Sequence, residues 1–270
     1  MWLKVKMQAT NIIGIILFIY LIICFVIYLM QDKLLYHPGE NNYLDQNSLN
    51  HKIEKIQISS DEKLIAWHYK KNKDFKTLLF FHGNAGKIDN RIYKLNEFSK
   101  MDLNYLIFAY RGFSGNSGKP HEAGFYKDAK AVKLWLNLNN VPDNQIILYG
   151  ESLGTAVAIE AAKENDFAGV ILESPFTSMT ELAKKYYPYL PVKILLRDKY
   201  DTIKKLKLVN SPILVMHGKR DKIVPYEMGL KVYEVAKSPK FKFFNDYDDH
   251  MMDFNEDLIN SINNFVKKLN

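Results

Sequence analysis

An α/β fold, a doubly wound and mostly parallel sheet of eight strands flanked by helices, is what the 270-residue sequence predicts, and three observations lead to it. Short β-rich runs alternate with amphipathic stretches of helix length throughout the part that follows residue 52. The later β-rich runs are almost unbroken in apolar residues, as parallel strands covered on both faces must be. The first two runs read as an antiparallel hairpin that opens the sheet.

The elements follow in chain order. No charged residue occurs between Lys6 and Asp32, and residues 12–30 are almost wholly Ile, Leu, Phe, Val and Tyr. As a helix at ~1.5 Å per residue, that run reaches about 28 Å, close to the thickness of a bilayer hydrocarbon core. A core helix would carry a polar stripe, and this run has none. A cleaved signal peptide would have a shorter apolar region ending in small residues, which Tyr28-Leu29-Met30-Gln31-Asp32 lacks. A transmembrane anchor over 1–31 is therefore expected, then a linker over 32–52. Lys4 and Lys6 precede the anchor and Lys33 follows it, a bias that places the N-terminus in the cytoplasm and the rest of the chain on the opposite side.

From 53 to 270 the pattern predicts one domain. Strands are expected at 53–58, 64–69, 77–81, 105–109, 146–149, 170–172, 213–216 and 241–244, and helices at 88–100, 122–139, 153–164, 226–236 and 255–268. No internal repeat is visible. The connection between the sixth and seventh strands is longer than α/β loops usually are, and predicts a cap insertion at about 177–209. It contains Tyr186-Tyr187-Pro188-Tyr189-Leu190-Pro191-Val192, an aromatic and aliphatic stretch suited to an apolar acyl group.

The formal charge is +7 and the isoelectric point about 9.1. The excess is local. Lys4 and Lys6 flank the anchor, eight bases and three acids fall between 181 and 207, and the remainder is balanced. A nucleic-acid module needs a basic stripe interleaved with stacking aromatics, so no nucleic-acid partner is expected. The basic cap suits anionic headgroups or an anionic substrate as well as it suits a solvated face. A single cysteine, Cys24, excludes an intramolecular disulfide and a cysteine-based metal cluster. No metal or organic cofactor is implied.

The strand at 146–149 runs into Gly150-Glu151-Ser152-Leu153-Gly154, and Thr155-Ala156-Val157-Ala158 opens the next helix. A serine on a tight strand-to-helix turn stands exposed above the sheet, and glycines are needed where the turn leaves no room for side chains. Ser152 is the expected nucleophile. Ser114 and Ser117 also follow a strand, but no helix begins directly behind them.

A serine needs a base to take its proton and a carboxylate to orient that base. Downstream of Ser152 only His217 and His250 are available, and His250, which follows the last strand and an acid, is the better base. Asp221 is the expected acid, with Glu173 as the alternative. Two N–H groups must meet the developing negative charge. Leu153, directly after the nucleophile, supplies one; Asn84, in His82-Gly83-Asn84-Ala85-Gly86 after the third strand, supplies the other, with Ala85 second. His82 reads as a packed residue.

With these residues in place, the chain resembles the α/β-hydrolase superfamily, and within it the membrane-anchored α/β-hydrolase-domain-containing serine hydrolases, whose pattern overlaps that of serine aminopeptidase-like proteins. The likeness runs through Gln31-Asp32-Lys33-Leu34-Leu35-Tyr36-His37-Pro38, the 82–86 loop, Tyr110-Arg111-Gly112-Phe113-Ser114-Gly115, the serine motif, Glu173-Ser174-Pro175-Phe176 and the segment 217–225. It implies the α/β-hydrolase fold and hydrolysis of an ester or thioester, of a small-molecule or lipid-like acyl substrate, by Ser152, Asp221 and His250. A serine aminopeptidase-type amide hydrolase, an acyltransferase and a non-catalytic membrane-tethered binding module are the alternatives. One departure is that Asp248-Asp249-His250 stands where relatives carry a glycine-containing turn, which bears on the local backbone.

Overall fold

The computed structural model describes residues 2–39, 48–163 and 165–269, the first four of them by backbone alone. The side chain of Lys4, residues 40–47 of the expected linker and the last residue of the helix expected at 153–164 lie outside the described residues.

The main sheet is built from β1 (Glu54–Ser59), β2 (Lys63–Tyr69), β3 (Thr77–Phe81), β4 (Asn104–Phe108), β5 (Ile146–Glu151), β6 (Gly169–Glu173), β7 (Ile213–Gly218) and β8 (Lys240–Asn245). Their spatial order is β8-β7-β6-β5-β3-β4-β2-β1. β1 pairs antiparallel with β2, and β2 antiparallel with β4; every other pairing is parallel. Each strand expected from the sequence is present, with ends shifted by a residue or two. The central strands β3 to β7 are buried along their whole length, which explains their unbroken apolar sequence.

Helices α3 (Glu122–Leu138), α4 (Leu153–Ala162), α7 (Thr202–Leu206) and α8 (Tyr226–Val235) pack side by side, while α2 (Ile92–Lys100) lies against β4 and α9 (Glu256–Lys267) against β8. The helix expected at 88–100 divides into a 3₁₀ turn, Ile88–Arg91, followed by α2. Of the expected cap, α5 (Met179–Tyr186) and α6 (Val192–Leu195) pack on each other, whereas α7 joins the helical layer of the body.

The N-terminal helix α1 (Trp2–Leu35) has 34 residues, roughly 51 Å at ~1.5 Å each, so it outreaches a hydrocarbon core by more than a dozen residues. It also runs past the boundary at 31 that the sequence suggests. Its apolar side chains are turned outward, with Ile13 and Phe18 each 65% exposed. Its C-terminal half is held by the cap and body. Gln31 donates to the Leu195 carbonyl at 3.2 Å and accepts from the Arg197 amide at 2.8 Å, and Arg197 pairs with Asp32 at 2.6 Å. The Tyr36 hydroxyl donates to Asp198 at 2.6 Å, and His37-Pro38 form a short parallel ladder with Ala85-Gly86. The start of the expected linker is thus continuous helix, then strand.

Candidate active site

Asn84, Ser152, Asp221 and His250 each follow the carboxyl end of a parallel strand: β3, β5, β7 and β8 respectively. Parallel strands open into a crevice at that edge, so four sequence-distant loops meet in one place.

Ser152 sits at φ 51° and ψ −117°, a strained backbone for a residue with a side chain, held by its amide donating to the Glu173 carbonyl at 2.8 Å. The glycines beside it answer to close approach. A Cβ on Gly154 would lie 2.0 Å from the Phe81 carbonyl oxygen, and one on Gly150 would lie 2.6 Å from the Gly154 carbonyl oxygen. The end of β3 can therefore lie against the start of α4 only if residue 154 lacks a side chain, and α4 can fold back over the end of β5 only if residue 150 does.

The Ser152 Oγ lies 2.9 Å from His250 Nε2, and His250 Nδ1 lies 2.7 Å from Asp221 Oδ2. With its hydrogen on Nδ1, His250 donates to the carboxylate and its Nε2 accepts from the serine hydroxyl. Asp221 Oδ1 accepts the amides of Ile223 and Val224, each at 2.8 Å. Burial works to raise the Asp221 carboxyl; hydrogen bonds from His217, His250 and Val224 override it and hold the group well below the usual carboxylate range. The imidazole therefore faces a fixed negative charge. Ser174 Oγ donates to the His250 carbonyl at 3.1 Å and steadies the loop.

The other candidates have different partners. His217 lies 3.2 Å from Asp221 Oδ2 through Nε2, which is also 2.9 Å from the Val224 carbonyl. Both neighbours accept, so Nε2 carries the hydrogen and His217 braces the carboxylate from the far side. Glu173 has other partners: its carboxylate takes Lys94 Nζ at 2.6 and 2.8 Å and the Tyr149 hydroxyl. His82 is fully buried, with Nδ1 2.7 Å from the Gly83 carbonyl oxygen, and burial lowers its pKa to about 3. Ser114 Oγ accepts the Ile88 amide at 3.3 Å, and Ser117 Oγ donates to Glu62.

Leu153 opens α4, so its amide has no acceptor within the helix. Asn84 spends its side chain elsewhere: Nδ2 donates to the Leu35 carbonyl at 2.8 Å, and its own carbonyl accepts the His37 amide at 2.9 Å. The loop that carries Asn84 is thus fastened to the end of the N-terminal helix. At the acidic turn, the Asp248 carbonyl accepts the Arg220 amide at 3.0 Å, and Asp249 Oδ1 accepts the Met251 amide at 2.9 Å, so these residues shape the loop through local hydrogen bonds in place of a glycine.

Beneath the serine lies a network that the sequence reading missed. Glu151, on the strand end before Ser152, accepts Arg91 Nη2 at 2.5 Å, Lys94 Nζ at 2.7 Å and the Gly83 amide at 3.2 Å. Arg91 Nη1 also donates to the carbonyls of Ala85 and Lys87, at 2.9 and 3.0 Å. Burial opposes charge on Glu151 and Lys94 alike, yet Arg91 and Lys94 hold the Glu151 carboxyl below its ordinary value, and Glu151 and Glu173 hold the Lys94 ammonium above its own. One ion network therefore ties the 83–87 loop to the turn that carries Ser152. Its signal is the register of Glu151 beside Glu173 on adjacent buried strands, which demands buried cations.

A nucleophile turn, an acid and a histidine in that chain order, on a sheet of this topology, define an α/β-hydrolase. The profile of the prolyl oligopeptidase family matches residues 96–250. An uncharacterized protein of Mycobacterium tuberculosis is 30% identical over 240 residues, covering 87% of this chain and 85% of its own. The lysophosphatidylserine lipase ABHD12 of Xenopus tropicalis is 30% identical over 204 residues, covering 68% of this chain and 52% of its own length. An esterase of Pyrococcus furiosus has the same fold, with a TM-score of 0.70 at 19% identity over 87% of this chain and 98% of that one. The chain belongs to the prolyl oligopeptidase family of the α/β-hydrolase superfamily and is a serine hydrolase.

Proposed function

We propose that the chain is a membrane-anchored serine hydrolase that cleaves an ester or thioester of a lipid-like acyl substrate through Ser152, His250 and Asp221. The observation that carries this reading is the unbroken line from Ser152 Oγ to His250 Nε2 at 2.9 Å and from His250 Nδ1 to Asp221 Oδ2 at 2.7 Å. Ser152 Oγ attacks the acyl carbonyl carbon as its proton passes to His250 Nε2. The amides of Leu153 and Asn84 hold the oxyanion of the tetrahedral intermediate, and Asp221 stabilises the imidazolium. His250 then protonates the departing alcohol or thiol, leaving an acyl-enzyme. Water, deprotonated by His250, attacks the ester carbon, and the acid departs as Ser152 Oγ recovers its proton.

A lipid-like acyl group is favoured by the apolar helix over Lys6–Leu35, which is long enough to cross a bilayer, and by the lipase activity in the name of the ABHD12 relative. The anchor spans residues 1–31, joined by residues 32–52 to a hydrolase domain over 53–270 with its cap insertion at about 177–209, and that domain lies across the membrane from a cytoplasmic N-terminus. Protease digestion of the domain from the outer side of sealed vesicles supports this topology; protection there reverses it. Amide hydrolysis is the second reading, favoured by the prolyl oligopeptidase match over residues 96–250. A panel of p-nitrophenyl esters, acyl thioesters and aminoacyl amides separates the two. Turnover of esters and thioesters at least 100-fold above amides is expected, and the reverse ranking overturns the acyl-ester reading.

A further inference from the structure

The C-terminal half of α1 and the cap enclose a cleft of about 430 Å³, its walls drawn from Ile27 and Leu34 of the anchor helix and from Leu182, Ala183, Tyr187 and Leu195 of the cap. Its lining reaches both sides of the catalytic crevice. Leu35 accepts the Asn84 side chain through its carbonyl, and Ile223, whose amide donates to Asp221, closes the other end. The Tyr186 hydroxyl, donating to the Ile223 carbonyl at 3.0 Å, bolts the cap to that loop.

The position of the cleft along the helix says what enters it. A hydrocarbon core takes about 20 helical residues, which counted from Lys6 ends near residue 26. Yet Tyr20 donates to the Tyr189 carbonyl at 2.8 Å, and Cys24 is buried against Leu190 and Val192. Tyr20 lies six residues short of that point, so the tip of the cap dips about 9 Å into the outer leaflet. Its outward residues match that depth: Ile194 is 84% exposed and Tyr189 67%, an apolar and aromatic surface suited to the headgroup boundary. Lys184, Lys185 and Lys193 are exposed on the same helices.

We infer that this cleft is the acyl-chain subsite of the enzyme and that a long acyl chain of a membrane lipid enters it sideways from the bilayer, so that the anchor helix is one wall of the binding site as well as a tether. The inference rests on the serine-hydrolase reading above and assigns its substrate a long chain. An acyl chain laid between Leu34 and Leu182 brings its carboxyl end to the loops that carry Asn84 and Asp221, and each methylene withdrawn from water adds to binding.

The test compares the full chain with Ala183→Trp, which fills the cleft, and Leu195→Ala, which widens it, all in phosphatidylcholine vesicles with p-nitrophenyl butyrate and p-nitrophenyl palmitate. Ala183→Trp is expected to lower kcat/KM for the palmitate ester about 100-fold, a loss of several buried methylenes, while the butyrate ester changes less than about threefold. Leu195→Ala, which strips apolar wall from the cleft, is expected to lower kcat/KM for the palmitate ester about fivefold and to spare the butyrate ester, and an unchanged palmitate value counts against the subsite. Equal losses on both esters in Ala183→Trp, or no loss on either, overturn the subsite. Failure of the wild-type chain to turn over butyrate sinks the serine-hydrolase reading instead, so the two failures are distinct.

Discussion

Ser152→Ala is expected to lower kcat for ester hydrolysis by about 10⁶, while the fold and substrate binding persist. Among the described residues the hydroxyl is the one group hydrogen-bonded to His250 Nε2, at 2.9 Å, and the elbow backbone at φ 51° tolerates alanine no worse than serine. The residual rate over water, roughly 10³ to 10⁴, would come from the amides of Leu153 and Asn84 together with binding. Because the residues act as a unit, adding His250→Ala to Ser152→Ala should cost little more. Steady-state kinetics on one activated ester measure both. A Ser152→Ala enzyme that retains a tenth of wild-type kcat contradicts the assigned roles.

The second large effect is on stability. Lys94 is wholly buried, with its ammonium 2.7 Å from Glu151 and 2.6 Å from Glu173. Lys94→Met leaves two buried carboxylates with Arg91 as their remaining cation, and removing one partner of a buried ion pair costs about 3–5 kcal/mol. Denaturant unfolding in detergent reads this as a lowered midpoint with unchanged slope. A loss below about 1 kcal/mol would mean that the carboxylates take up protons without penalty and that the network is not holding the serine turn. Because Glu151 also accepts the Gly83 amide, kcat of the surviving folded enzyme should fall as well.

The sheet, the serine turn and the order of acid and base were legible because each leaves a local mark. Buried parallel strands are apolar throughout, the nucleophile turn needs Gly150 and Gly154, and the acid and base close consecutive strands. The ion network was not legible, because a lysine on a helix ordinarily faces water. Lys94 is sequestered only because α2 is laid over the ends of β5 and β6, where Glu151 and Glu173 stand side by side. Nor did an unbroken apolar run disclose that its last two turns dock on the cap. Gln31 and Cys24 look unremarkable in sequence, and the hydrogen bonds to Leu195 and Arg197 that bury Gln31 come from more than 160 residues away.

The central claim is that Ser152 is the nucleophile of a serine hydrolase. Mass spectrometry of the chain treated with a fluorophosphonate probe tests it most directly. One adduct, on the peptide that carries Ser152 and absent from Ser152→Ala, is the result predicted; an adduct on Ser114, Ser117 or Ser174 with Ser152 unmodified, or no adduct on a folded chain, contradicts it.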